Sequence, residues 1–304
     1  MKKIWSRLKA STRWLVLGGT LLFLTSSLVD HFWEVAAIRI SPVGWALLII
    51  ALGITLLAHT WAAWVWTWIL RELNQRVRSA LLIQIYLKTN IGKYLPGNVW
   101  HYYGRAMAAK ATGISASTAN LSVLLEPLLM AAAALIIILA TTLWGSGLLL
   151  LKILQLLSLA VVLVVVHPRF LNPVISLASR VKAKKSPTID APLKLSRYPF
   201  IPLLGEFGFL GLRCSGFMLT LAAFQPFDGT QVPLIVSAFS FAWLLGLVVP
   251  GAPGGLGVFE ATAIGVLQQS FSSGTLISAL AVFRLVSIIA EAAAAGLAWL
   301  DERR

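Results

Sequence analysis

Six apolar runs, each long enough to cross a bilayer, leave this chain no way to build a water-facing exterior; a crossing takes about 20 residues. They cover Trp14–Phe32, Val43–Leu70, Thr118–Leu143, Leu148–Val166, Leu203–Phe224 and Leu276–Leu300. Only 12% of the 304 residues are charged, against about 25% in a soluble domain. Mean hydropathy is +0.84. The sequence therefore predicts an all-α polytopic membrane protein, because helices satisfy their own backbone hydrogen bonds in lipid. The first run follows a basic start and lacks an A-x-A-like cleavage site, so it reads as an uncleaved transmembrane helix.

Two further apolar stretches are interrupted. Ser79–Lys110 is broken by Pro96-Gly97, and Val232–Ser270 by Pro250-Gly251 and Pro253-Gly254-Gly255. Proline removes a helical hydrogen bond and glycine frees the backbone, so each break should end a helix. In a bilayer the freed N–H and C=O groups must be buried in protein or line a wet cavity. The expectation is six full transmembrane helices plus two re-entrant helical hairpins, or seven to eight spans by hydropathy. The second stretch reads alternatively as two ordinary spans with a short loop.

Charge sets the orientation. The net charge is +14, and 21 of the 25 Lys and Arg residues fall in clusters that this arrangement places on one side. Positive residues mark the cytoplasmic side. The N-terminus, the C-terminus and the basic loop 167–202 are expected there, in a plasma (inner) membrane protein. Asp30 and Asp228 are expected on the opposite side. Anionic lipid headgroups are natural partners for such a loop. Nucleic acid is not expected, because no zinc pattern or aromatic-basic strand accompanies the charge. The single Cys214 excludes a disulfide framework within one chain, and the four scattered histidines have no metal-ligand spacing. No cofactor or metal is expected.

Residues 1–304 read as one integral membrane domain with two related halves, 43–143 and 203–300, joined through the basic loop. Each half places a break ahead of one basic and one acidic residue. Arg105 and Glu126 follow Gly97 by 8 and 29 residues; Glu260 and Arg284 follow Gly251 by 9 and 33. With one hairpin entering from each side, this is the pattern of an inverted repeat, in which paired broken helices mark a midplane binding site.

Charges within apolar runs cost roughly 2.5–3.5 kcal/mol each and ask for partners or a polar cavity. Glu126, Arg213, Arg284 and Glu291 lie in such runs. Glu126 and Arg284, at matching distances from the two breaks, are expected to pair across the repeat interface. Glu206 and Arg213 share one helix face, and so do Arg284 and Glu291. The segment KYLPGNVWHYYGR gathers Lys93, Tyr94, Asn98, His101 and Arg105 around Pro96-Gly97. The segment VVPGAPGGLGVFE brings Pro250, Gly251, Gly254, Gly255, Gly257 and Glu260. Its glycines either expose backbone N–H groups to an anion or permit close helix packing. No nucleophile elbow, catalytic triad or zinc motif stands out, so the chain is not expected to be an enzyme.

These two segments, the Glu-Pro at Glu126 and the late Arg284 resemble the lysylphosphatidylglycerol synthase transmembrane-region family, also called the flippase-like domain family. The resemblance covers nearly the whole chain. It implies a region that moves aminoacylated phospholipid between leaflets, without the soluble domain that makes that lipid. The motif residues carried over are Pro96, Gly97, Arg105, Glu126, Pro250, Gly251, Gly254, Gly255, Gly257, Glu260 and Arg284. The expected function is translocation of a membrane lipid or lipid-linked glycan with a polar or anionic headgroup, by alternating access at the two hairpins. The alternative is a non-catalytic accessory or scaffold subunit that docks a glycosyltransferase or lipid-synthesis enzyme on the basic loop.

Overall fold

The computed structural model describes residues 39–95, 98–142, 149–173, 195, 197–249 and 252–302. The expected span Trp14–Phe32, residues 174–194 of the basic loop, and Pro96, Gly97, Pro250 and Gly251 lie outside them. Every described element is helical. Four helices are long and apolar enough to cross a membrane: α1 (Pro42–Glu72), α4 (Ala116–Thr142), α6 (Phe200–Phe224) and α9 (Ser273–Glu302). Each matches an expected span to within three residues at either end. Helix α5 (Leu149–Val166) has 18 residues; its stretch Lys152–Val166 is among the shorter apolar helices.

Both interrupted stretches are broken where proline and glycine predict. The first forms α2 (Ser79–Asn90), a 3-10 turn at Ile91–Tyr94, and α3 (Trp100–Ala111). The second forms α7 (Val232–Val248), a 3-10 turn at Pro253–Gly255, and α8 (Val258–Leu267). At 1.5 Å per residue these helices span about 15–25 Å, short of the roughly 30 Å hydrocarbon core.

Helix α1 starts at Ser41, whose hydroxyl accepts from the Gly44 N–H at 3.0 Å. Its start meets the end of α6, where a side-chain carbon on Gly44 would stand 2.8 Å from the Ala223 carbonyl oxygen. The two helices therefore run antiparallel. Small residues let them approach closely: a Cβ on Gly205 would sit 2.6 Å from Val65, and one on Gly208 would sit 2.8 Å from the Trp61 indole nitrogen. That indole donates to the Gly205 carbonyl at 2.8 Å.

Packing is matched between the halves. Helix α2 packs on α9, and α7 packs on α4; α1 packs on α9, and α6 packs on α4. Helix α3 lies on α4 as α8 lies on α9, and the two 3-10 turns touch. Arg197 forks onto Glu72 at 2.8 and 3.0 Å, and Lys88 reaches Glu302 at 2.7 Å. Phe217 meets Phe283 and Arg213 meets Ser287, so α9 runs antiparallel to α6 and parallel to α1, and the end of α1, the approach to α6 and the end of α9 lie on one face. Aromatic side chains of both halves, Trp66, Phe217 and Phe239, are fully buried between helices. Many large apolar side chains, among them Trp45, Ile49, Leu157, Val161 and Leu297, face outward. That surface suits lipid rather than water. The chain is an integral membrane protein.

Candidate functional site

The 3-10 turns beside the two breaks meet inside the bundle. Asn98, just past the first break, accepts the Gly254 N–H on its side-chain oxygen at 3.3 Å. Both residues are left-handed, at φ 51° and 58°. Asn and Gly tolerate that conformation where most residues do not. A side-chain carbon on Gly254 would stand 3.3 Å from the Tyr94 ring, so the second 3-10 turn lies flush on the first.

Each half closes its own ion pair. Arg105 on α3 pairs with Glu126 on α4, and both side chains are almost fully buried. The Tyr86 hydroxyl donates to the other Glu126 oxygen at 2.6 Å. The Arg105 guanidinium lies 3.6 Å from the Tyr86 ring centre and 5.5 Å from that of Trp66. In the second half, Glu260 on α8 pairs with Arg284 on α9, with Nε donating to Oε1 at 2.8 Å. Arg284 Nη1 donates to the Gly254 carbonyl at 3.0 Å. The other Glu260 oxygen accepts the Gly257 N–H at 2.6 Å. The expected pairing of Glu126 with Arg284 is thus corrected. The short helix after each break packs on the long helix of its own half, so each acid meets the base of its own half first.

A third cluster crosses the halves. Glu291 on α9 accepts from Lys93 Nζ at 2.6 Å, and its same oxygen lies 3.1 Å from His59 Nε2 on α1. Arg213 on α6 donates to the Ser287 hydroxyl at 3.0 Å. Its guanidinium packs 4.8 Å from the Phe283 ring centre and 5.3 Å from that of Trp243. The shared helix face expected for Arg284 and Glu291 does not give them a common partner.

These clusters surround a partly open cavity. Its polar wall includes Lys93, Arg105, Arg213 and Arg284, and its apolar wall includes Phe209, Trp243, Phe259 and Phe283. Among the described residues, no group of three or more His, Cys, Asp and Glu side chains could hold a metal ion.

A family model described as the lysylphosphatidylglycerol synthase TM region matches residues 13–295. The chain belongs to this family. Comparison with curated proteins gave no match. In this member of the lysylphosphatidylglycerol synthase TM region family, motif residues Arg105, Glu126, Glu260 and Arg284 form the two half-specific ion pairs.

Of the residues singled out by sequence, Lys93, Asn98, His101, Arg105, Glu126, Arg213, Gly254, Gly255 and Arg284 line the cavity. Tyr94, Gly257, Glu260 and Glu291 stand behind that wall and hold its members in place. Pro96, Gly97, Pro250 and Gly251 lie outside the described residues. Glu206 is buried beside the first pair and has one carboxylate oxygen without a partner. It does not join Arg213. Sequence reasoning missed His59, Tyr86 and Asn90, and the four aromatic residues of the apolar wall. A histidine inside an apolar span was a usable signal for the first. The aromatics carried none, because lipid-facing and cavity-facing rings read alike in sequence.

Proposed function

We propose that this protein translocates a membrane lipid or lipid-linked glycan carrying a polar or anionic headgroup. The observation that carries the reading is the meeting of the two turns beside the breaks at a cavity whose wall holds four buried or half-buried cations. In this reading both broken stretches are re-entrant hairpins and the halves form an inverted repeat. The antiparallel α1 and α6 and the matched packing partners support it. Discontinuous helices near the midplane free backbone groups for a substrate, and one half rocks against the other to change access. The protein acts as a carrier and makes or breaks no covalent bond. In this reading the face shared by Glu72, Arg197 and Glu302 is cytoplasmic, which the excess of basic residues in the adjoining sequence supports.

The test is reconstitution of the purified chain into liposomes with headgroup-labelled anionic, aminoacylated and polyprenyl lipids. Leaflet exchange should accelerate for at least one class over protein-free vesicles. Unchanged exchange for all of them would overturn the reading. The docking surface that an accessory role would use falls mainly in residues 174–194, outside the described residues.

A further inference from the structure

Four cations reach the cavity, and three are already matched. Lys93 holds Glu291, Arg105 holds Glu126, and Arg284 holds Glu260. Arg213 differs. It is 3% exposed on an apolar helix, and no carboxylate among the described residues lies within ion-pair distance of it. One nitrogen donates to Ser287, while Nε and Nη1 are buried without a partner. The indole nitrogen of Trp243, whose ring flanks the guanidinium, is also buried without one.

Three buried nitrogens, carrying four N–H groups between them, thus stand unused on two adjacent residues that line the cavity. Arginine cannot shed its proton in a protein, and arginine and tryptophan can only donate. An unpaired buried charge is costly unless something neutralises it. The missing partner must offer acceptor oxygens and negative charge. Its charge follows from the wall: with the other three cations paired, the surplus is a single positive charge. Glu206 and Glu291 each keep one buried oxygen without a partner, but neither lies within ion-pair distance of Arg213. A phosphodiester carries one negative charge and several acceptor oxygens; a pyrophosphate diester carries two charges. The rings of Phe283 and Trp243 beside the guanidinium exclude water and strengthen such a contact.

We infer that Arg213 and Trp243 form an oxyanion receptor for the phosphodiester of a single lipid headgroup. A free phosphate ion offers the same chemistry. The cavity, however, is walled by the membrane-spanning helices α4, α6 and α9, which favours an anion delivered by lipid. The inference rests on the translocator reading only for that source.

The test is a binding measurement, so its failure is distinguishable from a failure of leaflet exchange. The purified, delipidated full chain in uncharged detergent is melted with phosphatidylglycerol, diacylglycerol, a polyprenyl pyrophosphate or inorganic phosphate. Phosphatidylglycerol should raise Tm, and the other three should do so weakly or not at all. Arg213→Gln should weaken phosphatidylglycerol binding about tenfold or more. Without lipid, its Tm should be no lower than that of the parent, because an unpaired buried charge has been removed. Trp243→Phe keeps the aromatic wall, removes one donor, and should weaken binding several-fold. An Arg213→Gln protein that keeps the full lipid shift would overturn the proposal. So would one that melts lower without lipid, since the guanidinium would then be a structural brace. Equal shifts with inorganic phosphate would overturn the lipid assignment, and equal shifts with the pyrophosphate would overturn the single-charge match. If Arg213→Gln fails to fold, unchanged phosphatidylglycerol affinity in Trp243→Phe overturns the receptor on its own.

Discussion

Arg105 and Glu126 expose 1% and 3% of their side chains, whereas Arg284 and Glu260 expose 17% and 9%. Both pairs join the short helix after a break to the long helix of the same half. Their seals differ. The first is closed by Tyr86, which donates to the acid and covers the base with its ring, and by Trp66. The second is held by backbone: Arg284 reaches the Gly254 carbonyl and Glu260 takes the Gly257 N–H. A pair sealed by side chains behaves as a fixed brace. A pair tied to the backbone at a break is coupled to whatever that break does. One half of the molecule thus anchors, and the other is placed to respond.

That contrast can be broken by mutation. The largest effect is expected for Glu126→Gln, which strands Arg105 in low dielectric at a cost of about 3–5 kcal/mol. Thermal melting in detergent, or loss of monodisperse protein on gel filtration, would read it. Replacing Arg105 and Glu126 together by Met and Leu should recover most of the loss, since a buried pair exchanged for apolar side chains is often neutral. Glu260→Gln should cost less, about 1–3 kcal/mol, because Arg284 keeps its Gly254 carbonyl and some solvent. Equal losses at Glu126 and Glu260 would erase the distinction between brace and responsive pair. The smallest effect is expected between Glu126 and Arg284, which pair within their own halves. A double-mutant cycle between Glu126→Gln and Arg284→Gln should be additive within about 0.5 kcal/mol. Coupling well above that would mean the two halves share their charges after all.

The spans were legible because lipid demands long apolar runs, and the breaks were legible because proline and glycine interrupt them. Helix ends were less so. Helix α9 runs to Glu302, beyond the apolar run that stops at Leu300, because its last turn reaches Lys88 and Gln84. Matching offsets identified Arg105, Glu126, Glu260 and Arg284 as a set, but spacing along the chain does not say which helices touch. Packing of α3 on α4 and α8 on α9 chose the partners. The partners of Glu291 were hidden for the same reason: Lys93 lies 198 residues away. Tyr86 escaped notice because a tyrosine in an apolar segment ordinarily reads as an interfacial anchor.

The glycine seam between α1 and α6 has a mechanical meaning. At Gly205 and Gly208 the two helices have no room for even one added methyl group. Surfaces so closely keyed cannot slide along each other without opening a gap that lipid or water must fill. If the halves change their relative pose, the seam is the fulcrum and the short helices around the breaks are the levers. Gly205→Ala would then be a wedge at the pivot.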